Sequence, residues 1–247
     1  MTILAHMLYA VNTPKKGHTM TRLVGFDIES TGIDPKRDRI VTFSIIVKEG
    51  DDTNTHEWLI DPGVEIPQGA AEVHGITTDV AKANGDEPTE ALKEIWDALK
   101  FYSGSGILTA YNCPFDLTML REELKRHGII DKDSTEVEDI VASAGIIDPL
   151  VIDKATDPYR RGSRKLIDVA DHHGFALTNA HNSTADVEAT IYLADKFLTK
   201  FSDKATIPQL MELQAASKAE QSASLSEYFK RQGREDWEVD GSWPIQP

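Results

Sequence analysis

Cysteine is almost missing from this sequence: Cys113 stands alone among 247 residues. A single thiol cannot close an intramolecular disulfide, so a reducing cytoplasm is the expected home. Basic residues are also short. Lys and Arg number 26 against 41 Asp and Glu, a formal net charge of −15 with a pI near 4.9. That balance argues against a passive nucleic-acid coat held by phosphate neutralisation. It leaves room for an enzyme that meets phosphate through metal ions, because part of the acidic excess would then be ligands. No apolar run approaches the length of a membrane span, so no membrane association is expected.

What is present suffices for one domain of ordinary size with an appendage. Residues 1–20 read as a loosely held extension. They lack a basic start and so make a poor signal peptide, and Met20 is an alternative start. The main domain is expected over 21–203, and a C-terminal appendage, helical then irregular, over 204–247. Strands are predicted at Leu23–Ile28, Arg39–Lys48 and Thr55–Ile60, an antiparallel meander. Two more are expected within Gly106–Tyr111 and, between Ser143 and Ile152, at Ile146–Ile147. Short helices are expected near Gly69–His74 and Thr78–Ala83. Longer ones should start at Pro88, with the stripe Ala91, Leu92, Ile95 and Leu99, and at Pro114. Further helices are predicted from Leu166 to His173, from Thr184 to Lys200 and over Ile207–Lys218, with Ala219–Ser226 low in complexity. Such an order describes an α/β fold, a mixed five-stranded sheet flanked by helices.

The first strand leads into Asp27-Ile28-Glu29-Ser30-Thr31-Gly32. Alternation points Asp27 and Glu29 to one face and Phe26 and Ile28 to the other. Two neighbouring carboxylates at the end of a core strand need compensating charge, and divalent metal is the usual source. An edge strand with both acids in solvent is the competing explanation. Asp116, in the first turn after Pro114, and Asp186, in the first turn after Ser183, each suit a helix dipole or a capping box without any further role. His181 lies in a polar stretch just before that second helix, where an imidazole can take a proton from water at neutral pH. His172 and His173 suit the C-terminal dipole of their helix.

Taken together, Asp27-x-Glu29-x-Thr31-Gly32, then Asn112-x-Pro114-Phe115-Asp116, then His181-x4-Asp186 resemble the three ordered motifs of the DnaQ-like 3′–5′ exonuclease superfamily, with its RNase H-like fold. The resemblance covers roughly Arg22 to Leu198 and falls in the histidine subgroup, since Asn182 rather than tyrosine stands four before Asp186. Val73-His74-Gly75-Ile76-Thr77 is similar to a segment that these enzymes carry near the substrate. The Arg160–Leu166 loop and the Trp237–Pro247 tail look like those of actinobacterial or phage members.

The resemblance implies two divalent ions, Mg²⁺ with Mn²⁺ able to substitute, roughly 3.5–4 Å apart. Asp27 would bridge them, Glu29 and Asp186 would complete the site that activates water, Asp116 would hold the second ion, and His181 would be the general base. Thr31 and Gly32 would meet the terminal nucleotide through their backbone, with Ile28, His74, Asn112 and Phe115 as further substrate contacts. The substrate would be the 3′ end of single-stranded DNA, or of RNA, cut to nucleoside 5′-monophosphates. A catalytically silent binding subunit of the same fold is the alternative from another class. Arg164, within a cluster with Arg160, Arg161 and Lys165, is a candidate phosphate contact or simply part of a solvated loop. Gln209-Leu210-Met211-Glu212-Leu213 is similar to peptides that bind sliding clamps, and at helical spacing it is also a packing face. Tyr228, Phe229 and Trp237 could anchor a partner or fold back on the domain.

Overall fold

A computed structural model describes residues 21–177, 183–234 and 237–247. The expected N-terminal extension, the alternative start at Met20 and the candidate base His181 lie outside the described residues.

Strands β1 (Leu23–Ser30), β2 (Ile40–Glu49) and β3 (Asp52–Leu59) form the antiparallel meander. β4 (Ile107–Thr109) runs parallel to β1, and β5 (Ile146–Ile147) parallel to β4, giving the order β3-β2-β1-β4-β5. The expected five-stranded mixed α/β sheet is therefore present, with β1 at its centre.

Among the described residues, nine helices surround it: α1 (Gln68–His74), α2 (Thr78–Asn84), α3 (Pro88–Ser103), α4 (Cys113–Arg126), α5 (Glu136–Ala144), α6 (Pro149–Thr156), α7 (Leu166–His172), α8 (Ser183–Phe201) and α9 (Ile207–Arg231). Pro88 opens α3, where Glu87 accepts the Glu90 amide, and the stripe Ala91, Leu92, Ile95 and Leu99 is buried as its spacing predicts. α1 stops at Gly75, whose φ of 79° is the left-handed geometry that glycine enters without strain.

Side-chain alternation along β1 divides the core in two. Val24, Phe26 and Ile28 pack with Leu92 and Ile95 of α3 and Leu117 and Leu120 of α4, and Phe26 stacks on Phe43 at 6.1 Å. On the opposite face Leu23 and Ile46 pack with Val187, Ile191 and Phe197 of α8.

The structure departs from expectation in three places. The fifth strand is Ile146–Ile147 as expected, but an unexpected helix, α6, follows it at once: the Asp148 carboxylate accepts the Leu150 and Val151 amides, and Pro149 starts the helix. Helix α5 precedes that strand where no element is predicted. Helix α9 continues through the low-complexity 219–226, where Ser222 and Ser226 are buried. Ser226 Oγ accepts the Val239 amide at 2.9 Å, and Ser222 Oγ donates to the Asp240 carbonyl at 3.1 Å.

The tail then folds back. Trp243 and Ile245 pack against the core, and the Gln246 amide donates to Thr118 Oγ1 at 2.9 Å. Phe229 and Trp237 meet edge-on at 5.0 Å with Arg234 over both rings. Leu210 and Leu213 are buried and Gln209 closes a capping box with Thr206, so the clamp-like segment is a packing face. Among the described residues, no helix is long and apolar enough to cross a membrane.

Candidate active site

Gly25, Asp27 and Glu29 share one face of β1. A methyl group on Gly25 would stand 2.6 Å from Ile191 Cγ1 and 2.7 Å from Val187 Cγ1. Only glycine there lets α8 settle onto the strand. Val187 directly follows Asp186, so the same approach brings the Asp186 carboxylate to the end of β1. One carboxylate oxygen each from Asp27, Glu29 and Asp186 lies within 4.8 Å of the other two.

A second tie fixes the start of α8. Ser44 sits opposite Asp27 in the β1–β2 register, and its hydroxyl lies 2.6 Å from Ser183 Oγ and 3.2 Å from Thr184 Oγ1. Glu57, opposite Ser44 on β3, accepts a hydrogen bond from the Thr184 hydroxyl. Ser44 and Glu57 escape prediction as site residues. The available signal was a lone serine inside the apolar run Ile40–Val47, and its meaning depends on register.

Asp116 arrives from the other helical layer. It is buried in the first turn of α4, which is entered through Asn112 in the left-handed region at φ 64°. Asparagine tolerates that geometry better than most residues. Both amides at the turn, Asn112 and Cys113, donate to the Asp148 carboxylate at 3.1 Å.

The electrostatics follow from the crowding. Burial pushes the Asp27 carboxyl well above its ordinary range, and Asp116, Glu29 and Asp186 add to the rise. Asp116 is also raised, by burial first and then by Asp148 and Glu29, while backbone amides at Asp116 itself and Ile28 pull the other way. Glu29 is pushed up to about 7 by burial and Asp186. Among the described residues, the charges acting on Asp27 and Glu29 are all acidic. Closely set hard oxygen donors of this kind fit a divalent metal ion, whose charge would oppose these shifts.

The remaining predicted contacts divide. Ile28 is buried on the core face, and Phe115 packs against that same core. The Thr31 hydroxyl donates to Asp38 at 3.1 Å and accepts the Arg39 amide at 3.0 Å, while the Thr31 amide donates to the Arg39 carbonyl. A side chain on Gly32 would strike the Asp38 carboxylate at 2.4 Å. Thr31 and Gly32 thus shape the turn that ends β1. His74 comes close to the Ser30 carbonyl, which brings the Val73–Thr77 segment beside that end. Its Nδ1 accepts the Ile76 amide at 3.2 Å, and its Nε2 is buried with no hydrogen-bond partner among the described residues.

Arg164 is held elsewhere. Its guanidinium pairs with Asp153, as do Arg160 at 2.7 Å and His173 at 3.0 Å. Tyr111 in turn donates to the Arg164 carbonyl at 2.6 Å. The basic loop is therefore braced against α6 rather than free in solvent.

Residues 24–194 match the RNase T family, described as exonuclease. The chain belongs to this exonuclease family. It is thereby a member of the DnaQ-like 3′–5′ exonuclease superfamily. The PolC-type DNA polymerase III of Lacticaseibacillus paracasei is 26% identical over 207 residues, covering 82% of this chain and 13% of its own length. That of Clostridium perfringens is 29% identical over 191 residues, covering 77% and 12%. Among solved structures, Escherichia coli exonuclease I in complex with a dT13 oligonucleotide superposes with a TM-score of 0.62 at 21% identity, over 74% of this chain and 42% of that one. Exonuclease I of Methylocaldum szegediense gives 0.59 at 24% identity, over 73% and 41%. The structural likeness is one of fold. This exonuclease-family chain spans about one-eighth of the length of the polymerases it matches and about two-fifths of the exonuclease I chains.

Proposed function

We propose that the chain is a metal-dependent 3′–5′ exonuclease that removes nucleoside 5′-monophosphates one at a time from single-stranded DNA ends. The observation that carries this is the meeting of Asp27, Glu29 and Asp186, with Asp116 among the charges acting on Asp27, at the C-terminal end of the central strand. The oligonucleotide bound by exonuclease I, a protein of the same fold, favours single-stranded DNA.

The acids and His181 divide the chemistry. Asp27, Glu29, Asp116 and Asp186 hold the divalent ions, Mg²⁺ by preference. Those ions, when bound, supply Lewis acidity toward the scissile phosphate and neutralise its charge. His181, five residues before Asp186, takes the proton from the attacking water. The water oxygen bonds to phosphorus, the bond to the 3′-oxygen of the shortened strand breaks, and that oxygen takes a proton from solvent to leave as a hydroxyl. Burial of the acid cluster strengthens every charge interaction at the reacting centre.

The test is digestion of a 5′-labelled oligonucleotide with Mg²⁺ or Mn²⁺, comparing the parent with Asp27→Ala and His181→Ala, on matched DNA and RNA. Asp27→Ala should reduce cleavage to background, and His181→Ala should slow it by about 10²–10⁴-fold. A parent that cuts nothing, or activity that survives Asp27→Ala, overturns the mechanism. Equal rates on DNA and RNA remove the preference for DNA.

A further inference from the structure

Away from the acid cluster, a cavity of about 530 Å³ opens between α6, the loop that follows it and α9. Its lining includes Lys154, Arg160 and Arg164 on one side and Glu220, Leu225 and Tyr228 on the other. This is an unusual concentration of cations for a chain of net charge −15.

The charges there are not balanced. Asp153 faces both guanidiniums, and its third partner His173 is held toward neutrality by burial, so one carboxylate answers two permanent cations. The Arg160 side chain is 9% exposed, yet its Nε is buried with no hydrogen-bond partner among the described residues. Lys154, half-buried, makes no ion pair among the described residues. Burial first, and then the nearby charges of Lys218 and Arg164, push its ammonium below the usual range, while Asp148 and Asp153 pull the other way. On the opposite wall Glu220 adds one negative charge. Tyr228 and Leu225, roughly half exposed, add an aromatic face and an aliphatic wall.

We infer that this cavity is a second ligand site, taking a nucleoside 5′-monophosphate with its phosphate on Lys154 and Arg160 and its base against Tyr228. The volume suits one small molecule of that size. A phosphate supplies an anion to Lys154 and to the Arg160 guanidinium in the cavity wall, and charge-assisted contacts of that kind are strong. A base has a π-face for the Tyr228 ring whatever its identity. The site needs no metal and no turnover, so it stands or falls separately from the exonuclease reading.

The test is calorimetric titration of the intact protein in chelator with inorganic phosphate and with thymidine and deoxyadenosine 5′-monophosphates. The expected result is saturable one-site binding, tighter for both nucleotides than for phosphate. Lys154→Ala should weaken both kinds of ligand by about tenfold or more. Tyr228→Ala, at an exposed position, should weaken the nucleotides alone. Asp27→Asn should leave all affinities unchanged. Absence of saturable binding, or binding that survives Lys154→Ala but not Asp27→Asn, overturns the site. Nucleotides that bind no better than phosphate overturn the nucleotide assignment.

Discussion

Ser44 and Ser183, separated by 139 residues in sequence, meet hydroxyl to hydroxyl at 2.6 Å directly beside Asp27. The bond ties the first residue of α8 to the strand next to β1, and Asp186 lies one turn further along. Ser44→Ala should therefore lower kcat/KM by roughly ten- to a hundredfold, the loss expected from a small displacement of a reacting group. Thermal unfolding should shift by only a few degrees. Unchanged kinetics with a normal melting curve would show that other contacts suffice to seat α8.

Gly25→Ala tests the close approach itself. The added methyl must displace Ile191 and Val187, which overpacks the interface at roughly 1–3 kcal/mol. For a chain of this size that lowers Tm by roughly 2–10 °C. Val187→Ala combined with Gly25→Ala should cost less than the sum of the single changes, because both act on one contact. Strict additivity in scanning calorimetry would separate the two residues.

Removal of metal ions should reverse the ordinary pH dependence of the fold. Asp27, Glu29 and Asp116 all bind protons more tightly when folded. Their contribution is complete below the unfolded carboxylate range and is lost as pH rises, for Glu29 between 4.5 and about 7. In chelator, Tm should consequently be higher at pH 6 than at pH 8. Mg²⁺ or Mn²⁺ should close that gap, adding about 5–10 °C at pH 8 when present at a hundredfold its Kd. A Tm that climbs from pH 6 to pH 8 in chelator would contradict the raised carboxyls.

Gln214 links the C-terminal helix to the site's frame. Its Oε1 accepts the Asp148 amide at 2.6 Å, and its Nε2 donates to the Ile146 carbonyl at 3.0 Å. Gln214→Leu strands both buried backbone groups and should destabilise by about 2–4 kcal/mol, readable in urea denaturation. The neighbouring exposed position Glu212 provides the control, where Glu212→Gln should change little.

Much of this architecture is legible without coordinates, and the failures have physical causes. β1, the buried stripe of α3 and the two proline-led helices follow from local pattern, and so do the acids at their ends. α6 is hidden because Pro149 looks like the end of a strand. It reads as a helix start only once Asp148 is seen to accept the following amides. The Ala219–Ser226 stretch looks structureless because its partner is the tail, and Ser222 and Ser226 face residues 239–240 that no periodicity identifies. Arg160 and Arg164 read from sequence as a phosphate contact or a solvated loop, because Asp153, which holds them, lies on a separate element. Ser44 resembles a routine strand residue because its role exists only in register.

The wide separation of the acids along the chain has a consequence for synthesis. Translation delivers Asp27, Glu29 and Asp116 long before Asp186, and the Asp148 frame beneath Asp116 waits for Gln214. A nascent chain still on the ribosome, ended before α8, holds an incomplete set of the proposed ligands and no seated helix. On the proposed function, such a chain should not cut nucleic acid until α8 has been made and seated.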